Sequence, residues 1–562
     1  MQVLIIGGYG TFGFNIAKLL AGEKDLTITL AGRNLHKAKA ASAQLAKDSH
    51  AQFLPLRLDR SQPLAPQIDR VPDVIIDATG PFQSFQGEQR DIVINYALST
   101  KCHYMDLSDD TDFIRHIAGL DDAAKAAGIT ALSGLSTYPV LTSCVARELH
   151  ADIPHPTHLV TGIAPSPKAR LGRNVLAAIL NTAGRKKIYA RNGGVVKQAY
   201  GLLDTHWRTI APPQEDPLRP LLFAQVDSPE AVFFDDIESL THIKNYAGPQ
   251  PIWMMRVLIL FSHLAKFKLF PPLRLFTNLF HGLHHRLTFG DHRSGYFVSL
   301  SNQTQRAEFH LTAEGDDGPL IPAMPAAIMI KNWNRNAPSN HGARCAGKAD
   351  ISFDDYANMF ARFNIRYGTS LKKLSPISAP VYRQFLGKSF DALPTEIQSL
   401  HDIDVEKTYH GKANIIRGTN PLGHIVSWVF GFPKAGQDID VTIRRVPLGD
   451  NLELWERNFN GRKMRSTQAA GRGAKSHMIK ETFGPVAVHF AYYKEGDKYH
   501  VDTRSWQLFG LPMPRFLCPG GDVYEQGKDG KFHFHVQLCV PLIGMLVTYI
   551  GWFDPRAKLK PK

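Results

Sequence analysis

The chain has 562 residues, of which 44% are apolar and 21% charged, the proportions of a folded protein too long for one hydrophobic core, so two or three domains are expected. Its net charge of +14 is scattered and accompanies no DNA- or RNA-recognition motif, which argues against a nucleic-acid partner and leaves a phosphorylated ligand or an anionic surface as the acidic counterpart. Five cysteines, far apart and without a CxxC pair, exclude a disulfide framework and a zinc knuckle.

The chain enters a strand pattern almost at once, with no basic region, apolar core and cleavage site ahead of it, so a cytoplasmic location is expected. Through residue 150, short apolar runs alternate with helical patterns, as a parallel sheet covered by helices requires. The pattern predicts strands near residues 3–6, 26–31, 52–58, 73–78, 102–107 and 130–133. Helices are predicted near 38–47, 92–98 and 113–127, giving an α/β, doubly wound, Rossmann-type domain over residues 1–150.

The first strand runs into "GGYGTFG", which fits GxGxxG through Gly8, Gly10 and Gly13 and the longer GxxGxxG through Gly7, Gly10 and Gly13. The longer register is preferred because Gly7 directly follows the strand. Such a loop makes a tight turn, lets the backbone approach a pyrophosphate, and packs a helix closely on a strand. Gly7, Gly8, Tyr9, Gly10, Thr11, Phe12 and Gly13 are therefore the expected dinucleotide cradle, with the phosphates at the N-terminus of the next helix. The second strand ends in Gly32-Arg33-Asn34, where an NAD site usually carries an acid; Arg33 and Asn34 point instead to the 2′-phosphate of NADP.

The fourth strand leads into Thr79, Gly80, Pro81 and Phe82, expected at the nicotinamide end. Further on, "CHYMDLSDD" supplies His103, Tyr104 and Asp106 as candidate proton donors or acceptors for hydride transfer, with Tyr138 in reserve. Each also has a structural reading, as a satisfied strand-end tyrosine or a helix-capping aspartate.

Residues 151–371 mix strand and helix patterns and are expected to form an α+β substrate domain. Within it, "WMMRVLILFSHLAKFKLFPPLRLFTNLF" is too interrupted by charge and proline to span a bilayer. Residues 253–280 are expected either to lie on an anionic membrane face, through Trp253, Met254, Val257, Leu260, Phe261 and Leu264, or to pack on the domain or at a homodimer seam. Histidines at 281, 284 and 285 and at 533 and 535 lack the carboxylate partners of a metal site, and none is expected. From 372 to 562 antiparallel signals dominate, predicting a helix pair and an aromatic-rich sheet that either packs as an ordinary core or encloses an apolar ligand.

The series "GGYGTFG", "AGRN", "DATGPFQSFQG", "HYMDLSDD" and "SGLSTYP", followed by "DGPLIPAMPAAIMI" and "GARCAGKADISFDDY", resembles the saccharopine dehydrogenase-like NAD(P)-dependent oxidoreductases over residues 1–365. The resemblance implies a Rossmann domain, a substrate and dimerisation domain, and hydride transfer between NADP(H) and a small molecule, without implying saccharopine as that molecule. An unidentified and hydrophobic carbonyl, imine or enoyl compound is the expected substrate, and a non-catalytic NADP-binding, lipid-associated protein peripheral to the inner membrane face is the alternative. The remainder is similar to an uncharacterised domain fused behind such reductases in bacteria.

Overall fold

A computed structural model describes the chain except for residues 169–171, 269, 287–290, 350, 375–379, 450–451, 472–474, 509, 557 and 560–562. It divides into two compact units, residues 1–373 and 374–562.

The first unit is built on two sheets. Strands β1 (Gln2–Ile6), β2 (Thr27–Gly32), β3 (Gln52–Arg57), β4 (Val74–Asp77), β5 (His103–Asp106) and β6 (Thr130–Ser133) form a parallel sheet in the order 6-5-4-1-2-3. That is the doubly wound order, which reverses direction between β1 and β4. Because helices cover both faces, β4 and β6 are buried at every residue and read as continuous apolar runs rather than alternating ones. The predicted helix over 113–127 is two helices, Thr111–Ala118 and Asp121–Ala127: the Gly119 N–H bonds the carbonyls at the end of the first and Leu120 opens the second.

A seventh parallel strand, Gly342–Cys345, joins the sheet beside β6 after the chain has built the second sheet. Asp121 receives the Ala343 N–H at 3.0 Å, and Gly342 holds φ +131° with no room for a side chain, since a Cβ would lie 2.3 Å from the Asp121 carboxylate.

The second sheet has nine strands and is mixed, its centre formed by His242–Ala247 parallel to His158–Ala164, which pairs antiparallel with Ser294–Ser301. Helix Ile252–Lys266 packs on it through Met255, Leu258, Ile259 and Ser262. This is not the face expected from the sequence: Val257, Leu260, Phe261 and Leu264 are half-buried and Trp253 is exposed. The docked stripe won because residues 255, 258 and 259 meet Leu180, Leu202 and Leu222 beneath. Among the described residues no helix is long and apolar enough to cross a membrane.

The second unit opens with two short helices, Val381–Leu386 and Thr395–His401, and then ten long antiparallel strands. The sheet does not stay open: Lys407–Arg417 pairs with both Gly436–Gly449 and Gly544–Phe553, closing the strands into a barrel. Closure pairs the two strands that would otherwise be the edges of the sheet. The helix pair is fixed to the barrel by Arg445, which is wholly buried, pairs with Glu453, donates to the Leu400 carbonyl at 2.7 Å and stacks 3.5 Å over Trp455. Glu453 in turn accepts the Val381 N–H at 2.8 Å. Removing either partner of such a buried pair strands a charge.

Substituting Gly342→Ala places a side chain in a left-handed conformation and against Asp121, so the seventh strand should loosen. We expect a loss of about 1–3 kcal/mol, read as a lower urea midpoint for the first unit, with the barrel's transition unmoved.

Candidate active site

The glycine loop sits where the strand order reverses, at the carboxyl edge of the parallel sheet. Gly7 turns off β1 at φ +78°, and a Cβ there would lie 3.0 Å from the Ala78 carbonyl, so β1 and the loop after β4 touch. A Cβ on Gly13 would lie 2.4 Å from the Gly7 carbonyl, and one on Gly8 would lie 2.8 Å from the Leu30 backbone. These glycines let α1 (Thr11–Leu20) press its first turn onto the end of β1.

That helix begins at Gly10 with no side-chain cap and no acid in its first turn, leaving the amides around Thr11, Phe12 and Gly13 for an anion. The Phe12 ring, half-buried, packs against the core rather than facing the loop. Tyr9 spans the gap to β2: its hydroxyl accepts the Asn34 N–H at 3.0 Å, and its ring occupies the space over Gly32. Asn34 is committed through Oδ1 to the Lys37 N–H, capping α2 (Leu35–Ala46), whereas Arg33 is exposed beside the loop. The neighbouring carboxylate is Asp59 at the end of β3, held below its usual range by the Ser61 hydroxyl and amide and by Arg33.

The loop after β4 hangs on a buried carboxylate. Asp77, with no exposed surface, pairs with Arg60 at 2.8 Å and accepts the Thr79 hydroxyl at 2.5 Å and the Thr79 N–H at 3.1 Å. Arg60 also donates to the Gln89 carbonyl at 2.6 Å and stacks 3.8 Å over Phe85. Thr79, Gly80 and Pro81 thus line the edge at a fixed height. Phe82, expected there too, turns inward instead, because its short 3-10 turn packs the ring on Phe85 and Phe113.

The three proton-transfer candidates do not gather at this edge, although Tyr104 and Asp106 neighbour each other in the interior. His103 starts β5 and lies at the opposite, amino edge of the sheet, its Nδ1 accepting the Thr130 N–H at 3.0 Å and its ring between Trp333 and His341. Tyr104 is wholly buried in the core beneath the helices, and burial pushes its phenol well above the usual value. Asp106 does reach the carboxyl edge but is sealed there: Oδ1 accepts the N–H groups of Ser108 and Gly134, both at 2.9 Å, joining the ends of β5 and β6. Burial outweighs those bonds and raises it to about 6. Tyr138, the reserve, donates to the Tyr246 carbonyl at 3.0 Å and is spoken for.

What the sequence did not single out is an acid cluster where the β5 loop meets the second sheet. Gln83, from the loop after β4, donates to Asp109 at 2.9 Å. Asp110 caps helix Thr111–Ala118 through the Phe113 N–H, and burial raises it to about 6. Asp227 accepts the Thr111 N–H at 2.9 Å and the Tyr189 N–H at 2.6 Å, tying the parallel sheet to the strand Lys186–Asn192; burial, with Asp110 adding repulsion, lifts it to about 7. Gly172, at the start of helix Arg173–Thr182, faces Thr11 across the crevice: a Cβ there would lie 3.2 Å from its hydroxyl. Among the described residues no cluster of three His, Cys, Asp or Glu side chains suits a metal; the side chains of His284 and His285 lie outside them.

Residues 3–132 match the family profile described as the saccharopine dehydrogenase NADP binding domain. The parallel sheet and its glycine loop are an NADP-binding domain. Residues 393–553 match a domain of unknown function, DUF4166. Comparison with curated proteins returned no match. Among solved structures, an apo saccharopine dehydrogenase (L-Glu forming) from Saccharomyces cerevisiae has 15% identity and a TM-score of 0.47, covering 66% of this chain and 99% of its own. A dehydrogenase from Chromobacterium violaceum has 11% identity and a TM-score of 0.27, covering 63% of this chain and 83% of its own. A short-chain dehydrogenase from Sphingobium yanoikuyae in complex with NADPH has 16% identity and a TM-score of 0.18, over 24% and 69%.

Two outcomes follow for the NADP-binding domain. Gly13→Val forces α1 off β1, so thermal protection by NADPH should disappear in a calorimetric or dye-based melt. Asp227 binds its proton more tightly in the fold than in the open chain, so its stabilisation is complete below the ordinary carboxylate value near 4 and fades as pH rises through about 7. Asp227→Asn, neutral throughout, should show a smaller fall in melting temperature between pH 5.5 and 8 than the unsubstituted protein.

Proposed function

We propose that the protein is an NADP(H)-dependent oxidoreductase that transfers hydride to or from a small carbonyl, imine or enoyl substrate, held in the crevice between the carboxyl edge of the parallel sheet and the second sheet. The carrying observation is the acid-free helix start under three close-packed glycines, with exposed Arg33 at the end of β2. The cradle fits a dinucleotide, because the glycines let α1 close onto β1 and so bring its uncapped first amides to the edge where the strand order reverses, within reach of a pyrophosphate.

Gly7, Gly10 and Gly13 give the backbone its close approach, the first amides of α1 bind the pyrophosphate, and Arg33 takes the 2′-phosphate through charge-assisted hydrogen bonds. Thr79, Gly80 and Pro81, held level by Asp77 and Arg60, support the nicotinamide side. The nicotinamide, when bound, supplies or accepts the hydride. The accompanying proton falls to Asp110 and Asp227, whose raised values put their exchange near neutral pH, in place of His103, Tyr104 and Asp106. A homodimer, and a membrane-surface contact through exposed Trp253, Phe267, Leu275 and Leu279, belong to the same reading.

The test is cofactor choice. NADPH should quench or shift protein fluorescence at lower concentration than NADH, and Arg33→Ala should weaken NADPH by roughly 10- to 100-fold while leaving NADH within about twofold. Equal losses for both would show that Arg33 does not read the 2′-phosphate.

A further inference from the structure

The closed barrel of the second unit is not filled by its own side chains. It encloses a cavity of about 330 Å³, walled mostly by inward-facing Phe, Val, Ile and Leu residues from nearly every strand. That is the size range of small organic ligand sites, and a cavity lined by hydrocarbon is suited to an apolar guest.

One patch of the wall is polar, and it is arranged in register. Trp455 lies opposite Ser466 on the next strand, and Gln468 lies opposite Glu481 on the one after. Glu481 is satisfied from three sides: Arg457 at 3.1 Å, the Ser466 hydroxyl at 2.6 Å and Gln468 Nε2 at 3.1 Å. The Gln468 amide must turn its nitrogen toward the carboxylate, since two acceptors cannot share a hydrogen bond, and this leaves Oε1 over. Gln468 is 98% buried, and Oε1 has no protein partner. Trp455 Nε1 is buried and unpartnered in the same wall. An orphan acceptor and an orphan donor, both walled in, each carry a desolvation penalty that a ligand can relieve.

The charges on the wall are already balanced. Arg457 is the one cation among the described lining residues and is paired with Glu481, while Glu525 is met by His401 at 2.8 Å and by the Tyr492 hydroxyl at 2.9 Å. An ionised ligand would therefore find no counter-charge. A neutral group that donates to Gln468 Oε1 fits, and a hydroxyl is such a donor.

We propose that the barrel binds a neutral, mostly hydrocarbon molecule bearing a hydroxyl group, with the hydroxyl at Gln468 and the hydrocarbon among the phenylalanines and valines of the opposite wall. Helix Pro421–Val429 contributes Val426 to the cavity wall, while its Leu422, Ile425 and Trp428 stand exposed. The inference stands on the barrel alone and is independent of the reductase reading.

The full-length protein is titrated with the hydrocarbon fluorophore 1,6-diphenylhexatriene, and the bound probe is displaced with decan-1-ol or with decanoate. Probe fluorescence should rise on addition of protein, and decan-1-ol should displace it at roughly tenfold lower concentration than decanoate. Gln468→Leu should abolish that preference by weakening decan-1-ol about tenfold, with the affinity for diphenylhexatriene unchanged. Val488→Trp, or Val536→Phe if the first variant does not fold by circular dichroism, fills the cavity and should remove probe binding. No fluorescence rise with the unsubstituted protein, retention of the probe by a folded filled variant, or equal displacement by the carboxylate would each overturn the proposal.

Discussion

The distance between α1 and β1 governs the first unit. With only hydrogen on Gly13 and Gly8, the helix and two strands close to contacts that a single methyl group would break, and the helix start is carried to the point where the sheet reverses. From that approach follow the touch between Gly7 and the β4 loop, the room for the Tyr9 ring over Gly32, and the crevice itself. The anion site is thus a by-product of packing, and it needs no charged side chain of its own.

Buried polar groups then set the height and tilt of everything around the crevice. Asp77 with Arg60 holds one loop, Asp106 joins two strand ends, and Asp227 ties the two sheets. Asp77 has a cation beside it; Asp106 and Asp227 rely on backbone amides and retain protons to higher pH. The groups that hold strand ends and sheets together at this edge are therefore also those whose proton affinity burial raises most.

Much of this was legible in the sequence for physical reasons. The parallel strands announce themselves as unbroken apolar runs because both faces are covered, and "GGYGTFG" carries its own geometry. The exposed position of Arg33 was readable because a strand end is a fixed place on this fold. His103 lies at the other edge from Asp106 because, at about 3.3 Å per residue, three positions span this four-residue strand. Asp227 had no local signal, since its partners lie 38 and 116 residues away and only the fold introduces them. Barrel closure was equally hidden, because alternation reports that strands are half-buried and says nothing about which edge strand meets which.

The seventh parallel strand has a consequence in time. β6 is complete early in synthesis, yet its neighbour Gly342–Cys345 is not made until the ribosome has added roughly two hundred further residues, about 10–40 s at ordinary rates of translation. Until then the nascent sheet offers an unpaired, apolar border, the kind of surface on which foreign strands add. The second sheet must be threaded out and back before that border is sealed, which makes the newborn chain, rather than the finished protein, the form most exposed to aggregation and to chaperones.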